Sequence, residues 1–190
     1  MIEGAVRTCI LSHGRSGTVY TARILCSIGL DFGHEQDGRD GAIGGIFFKG
    51  ERNLDSYRQI FHQTRAPLDV ISSSTTCKPS SFKKVFMKTG FGKVNEKDPL
   101  RRAMLSWVFY TSWAESHSTW RYKVEDIPQV WDELLSRMGI EPVELPDVPT
   151  DTNTREHKQY TWNDLTAADS MLAMGIKESA RKFGYETEWA

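Results

Sequence analysis

The sequence predicts an α/β domain with a mainly parallel sheet between two layers of helices, a three-layer αβα arrangement. Short apolar runs alternate along the chain with segments whose apolar residues recur at helical spacing. Proline and glycine residues stand at the junctions, where helices begin and end. The 190 residues are enough for one hydrophobic core, and we expect a single domain spanning 1–190.

The amino-terminal half predicts three strands and two helices. In chain order they are a strand at 6–11, a helix from the following turn to about Ile28, strands at 30–33 and 60–64, and a helix from Pro67 to about Thr76. Residues 37–50 contain five glycines, and for them the sequence predicts mostly loop with some short structure.

The carboxyl-terminal half predicts one strand and three helices. They are a helix that begins at Asp98 and Pro99, a strand at 120–124, a helix with Asp126 as N-cap that ends at Gly139, and a last helix from a Thr166–Asp169 capping box to just before Gly184. Residues 78–97 are rich in lysine, glycine and serine, and we expect them to form an exposed excursion.

Composition narrows the class of protein. The formal net charge is −1, so nothing in the overall charge indicates a nucleic-acid or membrane partner. The three cysteines, Cys9, Cys26 and Cys77, lack the C-x-x-C spacing of a zinc site and suit a reducing compartment. Because the chain shows neither a secretory pattern nor an apolar run of membrane-spanning length, we expect a cytoplasmic protein; its oligomeric state stays open.

Residues 12–18, Ser-His-Gly-Arg-Ser-Gly-Thr, follow the first predicted strand and precede the first predicted helix. The first amides of a helix lack internal partners and its dipole is positive there, so such a turn favours anions. Gly14 and Gly17 allow close approach of the backbone, while Arg15, Ser16 and Thr18 add donors. The Walker A pattern is not met, because Thr18 stands where it requires lysine. The alternative is a tight turn capped by serine and threonine.

This 12–18 loop resembles the 5′-phosphosulfate loop of sulfotransferases that use 3′-phosphoadenosine 5′-phosphosulfate (PAPS). The resemblance implies a P-loop type of fold and places Arg15 against the 5′-phosphate and the sulfuryl group. It also implies contacts from the rest of the loop and the residue after it, namely His13, Gly14, Ser16, Gly17, Thr18 and Val19. His13 stands where the family often has proline.

A second segment is similar to the family's 3′-phosphate motif, R-x-P-x-D-x-x-x-S. Arg65, Pro67, Asp69 and Ser73 match its four fixed positions. The resemblance implies that Arg65 and Ser73 bind the 3′-phosphate, and Arg65 is predicted at the carboxyl end of a parallel strand, where α/β sheets bind ligands. The alternative is an exposed arginine before a helix whose serines are solvated.

Two later segments resemble the family less specifically. Residues 121–127 are similar to its Y-x-x-E-D-[LI] junction, in which Asp126 also serves as a plain N-cap. Residues 152–162 resemble a late segment of bacterial and viral members whose polar residues close over the nucleotide. That resemblance makes Arg155 and His157 secondary candidates for cofactor contacts.

Transfer of a sulfuryl group needs a general base on the acceptor. Family members use either a histidine or a glutamate soon after the second strand, and this sequence has His34 and Glu35 there. By position Glu35 is the first choice and His34 the second; a polar surface turn is the alternative. His13, His62 and His117 are expected to be structural, and no metal is expected.

The sequence therefore predicts a sulfotransferase that moves a sulfuryl group from PAPS to a hydroxyl or amine of a small-molecule or glycan acceptor. The product would be adenosine 3′,5′-bisphosphate (PAP). The alternatives are a P-loop kinase, against which the missing Walker lysine argues, and a non-catalytic module that binds PAP or another nucleotide.

Overall fold

The fold was analysed in a computed structural model, which describes residues 4–44, 54–90, 94, 96–149 and 156–187. The described chain forms two compact units. One, the sheet unit, takes its described residues from Met1–Thr64 and Ala114–Thr154. The other, the helical unit, takes them from Arg65–Trp113 and Arg155–Ala190. That the whole chain is one domain stays a prediction.

The described part of the chain contains five strands and seven helices. The strands are β1 Thr8–Ser12, β2 Phe32–His34, β3 Gly41–Gly44, β4 Gln59–Thr64 and β5 Trp120–Lys123. The helices are α1 Thr18–Ser27, α2 Pro67–Ser74, α3 Pro79–Lys88, α4 Pro99–His117, α5 Ile127–Arg137, α6 Trp162–Ala168 and α7 Ser170–Lys182. Single 3₁₀ turns lie at Leu54–Ser56 and Val124–Asp126.

The strands form one sheet in the order β2-β3-β1-β4-β5, and every neighbouring pair is parallel. Helices lie in the connections from β1 to β2 and from β4 to β5, whereas β2 and β3 are joined by residues 35–40 without a helix. The α/β class and the parallel sheet are thus confirmed, and they are consistent with a three-layer αβα fold. Among the described residues, no helix has the length and apolar character needed to cross a membrane.

The core of the sheet unit follows the predicted periodicity. Residues of β1, β3 and β4 that are neighbours in register share one face, and Ile10, Ile43 and Phe61 on that face are buried. The same cluster includes the apolar stripe of α5, which consists of Ile127, Trp131, Leu134, Leu135 and Met138. Gly139 ends this helix region in a left-handed conformation (φ +70°), as predicted from its position.

The strand β3 corrects the expectation that residues 37–50 are mostly loop. It pairs with β1 on one side and β2 on the other, so it lies inside the sheet. Its glycines mark a close approach of backbone, because a Cβ on Gly41 would lie 2.2 Å from the Thr8 carbonyl oxygen and 2.4 Å from the Phe32 ring. Glycine here indicates tight packing in a strand rather than a turn. Residues 45–50 lie outside the described part of the chain.

The prediction of an exposed excursion at 78–97 is also wrong for the first half of that segment. Residues 79–88 form α3, which begins with proline at its first position. Its apolar residues recur at three- and four-residue spacing, and Phe82, Val85 and Phe86 are buried. The abundance of lysine, serine and glycine hid this spacing.

The capping box predicted at Thr166–Asp169 is wrong, and the structure has the box at Thr161–Asp164 instead. The Thr161 hydroxyl accepts from the Asp164 amide at 3.2 Å, and the Asp164 carboxylate accepts from the Thr161 amide at 2.8 Å, so the box begins α6. Thr166 lies inside α6 and donates to the Trp162 carbonyl oxygen. Asp169 then caps α7 by accepting from the Leu172 amide at 3.1 Å.

Candidate functional site

In the sheet unit, the 12–18 loop joins the carboxyl end of β1 to the first turn of α1. Arg15 (φ +77°) and Gly17 (φ +76°) are both left-handed, and the Ser16 amide donates to the His13 carbonyl oxygen at 3.2 Å. A Cβ on Gly17 would lie 2.9 Å from a methyl carbon of Val124. Both the left-handed conformation and the close approach of Val124 therefore favour glycine at position 17.

The sheet topology favours a ligand site at this edge. The chain leaves β1 towards β2 on one side of the sheet order, and it leaves β4 towards β5 on the other. Open parallel sheets bind ligands where the connections from two neighbouring strands diverge in this way, outside their carboxyl ends. The 12–18 loop follows β1 directly at this position.

His13 is buried within the loop, and its Nδ1 lies 2.7 Å from the Gly14 carbonyl oxygen. Because a carbonyl oxygen only accepts, Nδ1 carries the hydrogen. Burial lowers the pKa of His13 to about 4, the Gly14 bond opposes that shift and nearby His62 adds to it. A neutral His13 adds no positive charge to the loop, and its contact with a cofactor stays a prediction.

His34 and Glu35 lie where they were predicted, at the carboxyl end of β2 and directly after it. The Nε2 atom of His34 is 3.0 Å from the Thr18 hydroxyl, so His34 contacts the 12–18 loop. Burial lowers the pKa of His34 from its ordinary value.

Glu35 is held differently. Its backbone is left-handed (φ +56°) and its amide donates to the Ile43 carbonyl oxygen at 3.0 Å. A Cβ on Gly44 would lie 3.1 Å from the Glu35 carboxyl group, so the carboxylate folds back over the end of β3 because Gly44 has no side chain. This contact ties Glu35 to the end of β3.

Sequence reasoning did not single out Gln63, although its side chain contacts the loop. It is fully buried in β4 and its Nε2 donates to the Ser16 carbonyl oxygen at 2.7 Å. Its Oε1 accepts from the Thr21 hydroxyl at 2.7 Å and from the Tyr122 hydroxyl at 2.9 Å. The available signal was a glutamine within a run predicted to be a buried strand, where a polar group needs partners.

The junction at 121–127 is part of the same unit. Tyr122 contacts Gln63, and Val124 packs on Gly17. Asp126 occupies the N-cap position of α5 as predicted, but its side chain makes no capping hydrogen bond. Its carboxylate instead lies 3.6 Å from the Lys123 ammonium group. Asp126 therefore occupies the predicted N-cap position, but its side chain does not cap the helix as predicted.

His62, expected to be structural, belongs to an ion-pair network in the sheet unit. Its Nδ1 lies 3.1 Å from Glu115, whose other carboxylate oxygen contacts the Arg121 guanidinium. The His62 hydrogen bond, followed by Arg121, lowers the pKa of Glu115 to about 2 against the opposing effect of burial. Burial lowers the pKa of His62 against the opposing effect of Glu115, and because the carboxylate oxygen only accepts, Nδ1 of His62 donates to it.

In the helical unit, the predicted 3′-phosphate residues lie on and before α2. Pro67 is the first residue of the helix, and the Arg65 guanidinium lies 3.4 Å from the Asp69 carboxylate. About two fifths of each of these two side chains is exposed, at 40% and 44%. Ser73 is buried, while the neighbouring Ser72 hydroxyl accepts from the Tyr160 amide at 2.9 Å. That Arg65 and Ser73 share a ligand stays a prediction.

The remaining candidates come from residues 152–162. Arg155 lies outside the described residues. His157 is partly buried, with its Nε2 3.3 Å from the Gln159 amide nitrogen. Within the described part of the chain, no cluster of three or more histidine, cysteine, aspartate or glutamate side chains is arranged to hold a metal ion.

Comparison with known proteins gave no family model that matches the chain and no significant match to a curated protein.

Proposed function

We propose that this protein transfers a sulfuryl group from PAPS to a hydroxyl or amine of a small-molecule or glycan acceptor and releases PAP. The observation that carries the proposal is the 12–18 loop at the carboxyl end of β1, with His34 of β2 hydrogen-bonded to its Thr18. The candidate anion-binding turn and the end of β2, where both candidates for the base lie, thus belong to one unit.

The loop has the character of an anion site. Left-handed Arg15 and Gly17 bend the backbone sharply just before α1, whose first amides are unsatisfied within the helix and carry its positive dipole end. Among the described residues, the buried Ser12 hydroxyl at the base of the loop has no hydrogen-bond partner. These groups suit the 5′-phosphosulfate, with Arg15 supplying the full positive charge.

The second support is the place of the 3′-phosphate motif in the chain. Arg65 follows β4 directly, and β4 pairs with β1 so that Gln63 is the register partner of Ser12. In sequence, Arg65 and the proline-started helix α2 therefore come directly after the carboxyl end of a strand. A dedicated 3′-phosphate pair, Arg65 and Ser73, would distinguish PAPS from ATP.

When bound, PAPS supplies the sulfuryl group: the bond from sulfur to the acceptor oxygen or nitrogen forms, the bond from sulfur to the 5′-phosphate oxygen breaks, and PAP leaves with the bonding electrons. The acceptor must lose a proton in this step. Glu35 is proposed to take it, because a carboxylate is a proton acceptor and Glu35 follows the end of β2 directly. The Nε2 of His34 already contacts the Thr18 hydroxyl, so His34 would orient the loop.

The test is thermal unfolding with PAP, ATP with magnesium, or AMP. A ligand at about 100 times its dissociation constant stabilises a protein by about 2.7 kcal/mol. For a chain of this length that is a shift in melting temperature of roughly 5–10 °C. We expect this shift with PAP and a much smaller one with ATP and magnesium; the reverse order would favour the kinase.

The activity itself is tested by PAP release in a screen of phenols, sugars and amines with PAPS as donor. Release that depends on one acceptor class supports the transferase. A protein that binds PAP but releases none from PAPS with any acceptor would instead be the non-catalytic module.

A further inference from the structure

Gln63 is a buried polar side chain that makes three hydrogen bonds next to the 12–18 loop. It lies in β4 with none of its surface exposed, and it joins the loop, α1 and β5 through Ser16, Thr21 and Tyr122. All four residues belong to the sheet unit. A buried amide that links three elements fixes their relative positions only if its own orientation is fixed.

The chemistry of the Ser16 contact sets that orientation. The Ser16 carbonyl oxygen only accepts, so the NH₂ end of Gln63 must face it. The Thr21 and Tyr122 hydroxyls both donate to the carbonyl end of Gln63. Burial raises the pKa of Tyr122, which keeps its hydroxyl protonated and able to donate. An inverted amide would place its oxygen against the Ser16 carbonyl oxygen, which is repulsive, whereas the two hydroxyls can donate or accept and so allow either orientation.

The bond to Ser16 has a consequence for the next amide. In a planar trans peptide the carbonyl oxygen and the following N–H point in opposite directions. Because Gln63 draws the Ser16 carbonyl towards the protein interior, the Gly17 N–H points away from that interior. The left-handed residues Arg15 and Gly17 on either side of Ser16 allow the backbone to hold this orientation.

We propose that Gln63 is a positioning residue for anion binding: by holding the Ser16 carbonyl inside, it turns the Gly17 N–H outward, where that N–H donates to a bound phosphate or sulfate group. The outward N–H calls for an acceptor atom, and the positive end of the α1 dipole favours an anionic oxygen there. Its identity as the 5′-phosphosulfate rests on the proposed function.

Two substitutions separate this role from general support of the core. Gln63→Glu keeps acceptor oxygens for Thr21 and Tyr122 and, once its carboxyl is ionised, presents to Ser16 an oxygen that the carbonyl repels. Because a buried protonated carboxyl would donate to Ser16 again, this variant is compared at alkaline pH. Gln63→Met keeps the approximate size, buries no new charge and lacks the donor at every pH, so it serves if the glutamate variant does not fold or stays protonated. Tyr122→Phe is the matched control, because it removes one hydrogen bond to the same side chain and leaves the Ser16 contact.

The first measurement is the affinity for PAP by calorimetry. We expect Gln63→Glu and Gln63→Met to weaken PAP by about tenfold to a hundredfold, which is the usual worth of one hydrogen bond to a charged group. Tyr122→Phe should bind PAP within about twofold of the unchanged protein. Equal weakening by Gln63→Met and Tyr122→Phe would overturn the proposal, since it would make Gln63 a structural residue only.

The second measurement does not depend on PAP. Hydrogen exchange in the 14–19 segment should accelerate in both Gln63 variants and stay unchanged in Tyr122→Phe, and inorganic sulfate should slow exchange there only where Gln63 is present. If the unchanged protein binds sulfate but not PAP, the sulfotransferase proposal fails while the positioning role stands. If the Gln63 variants exchange and bind sulfate like the unchanged protein, the positioning role is overturned whatever PAP does.

Discussion

The two regions that carry the predicted phosphate contacts are built in different ways. The 12–18 loop is held by a buried hydrogen bond from Gln63 to Ser16 and by a partly buried one between Thr18 and His34. In the helical unit, the partly exposed Arg65 pairs with the Asp69 carboxylate, four residues further along the chain. The loop is therefore held by contacts with distant segments, whereas this contact of Arg65 is a local surface ion pair.

This difference predicts two kinds of sensitivity. A preformed loop loses function when its geometry is disturbed, because its amides must point at the ligand before the ligand arrives. A half-exposed arginine contributes mainly charge, and it must give up or share its contact with Asp69 to bind a phosphate.

The largest expected effect is on catalysis at the end of β2. Glu35→Gln should lower the turnover of PAPS by about 10²–10⁴, the usual loss when a general base is removed, while PAP affinity changes little. His34→Ala should lose less turnover and should also weaken PAP, because it removes the contact with Thr18. The measurement is PAP release against acceptor concentration, with calorimetry for PAP. Full turnover of Glu35→Gln together with an inactive His34→Ala would make histidine the base.

The second effect is the pH dependence of stability that follows from burial of the loop. Burial lowers the pKa of His13 from 6.5 to about 4, so between these values the unfolded chain binds a proton that the folded chain does not. The stability contributed by neutral His13 is complete above about pH 6.5 and is lost as the pH falls towards 4. The shift corresponds to a loss of about 3 kcal/mol at most.

Urea unfolding at a series of pH values measures this loss. His13→Asn should make the free energy of unfolding depend less on pH between 6.5 and 4, and the exposed His117→Asn variant is the control. In the unchanged protein and in both variants, His62 and Glu115 also lower the free energy of unfolding as the pH falls, because the pKa of each is lowered in the folded state. An identical pH profile for His13→Asn would mean that His13 is hydrated at the loop.

The third effect falls on the helical unit. Arg65→Ala should weaken PAP by about tenfold to a hundredfold and should hardly affect adenosine 5′-phosphosulfate, which lacks the 3′-phosphate. Arg15→Ala should weaken both ligands. The matched control is Arg137→Ala, since Arg137 is similarly exposed and is paired with Glu133 at the same four-residue spacing. Equal losses of the two ligands in Arg65→Ala would refute a role in reading the 3′-phosphate.

The same contrast explains what the sequence could predict. The loop between β1 and α1, the start of α2 at Pro67 and the place of His34 and Glu35 after β2 depend on local patterns, and all three positions agree with the structure. The strand β3 was not predicted because its structure depends on distant neighbours of Gly41. These are Thr8, 33 residues away in sequence, and Phe32, 9 residues away. Gln63 was missed for the same reason, since its partners come from three separate segments.

Helix α3 and the capping boxes show a different limit. The buried spacing of Phe82, Val85 and Phe86 was present in the sequence, but an average over a lysine-rich segment concealed it. Thr161–Asp164 and Thr166–Asp169 both satisfy the capping-box pattern, and the structure uses only the first as a box. When two local patterns are equally good, tertiary packing determines which one begins a helix. Here the first box precedes the helix that buries Trp162 and Leu165.

The smallest expected effect is that of Asp69→Asn, a substitution that tests whether Asp69 competes with the 3′-phosphate for Arg65. A surface ion pair at four-residue spacing is worth about 0.3–0.5 kcal/mol, so Asp69→Asn should tighten PAP by only about twofold. The gain should shrink in concentrated salt, which already screens the pair.

Asp69→Asn should also lower stability slightly, because Asp69 lies in the first turn of α2 where a negative charge is favourable by about 0.3–1 kcal/mol. Opposite changes in PAP affinity and melting temperature would therefore identify competition. Glu133→Gln, which removes the partner of Arg137, is the control and should leave PAP affinity unchanged. Weaker PAP binding by Asp69→Asn would show instead that the carboxylate holds Arg65 in its binding orientation, which would make this region preformed like the 12–18 loop.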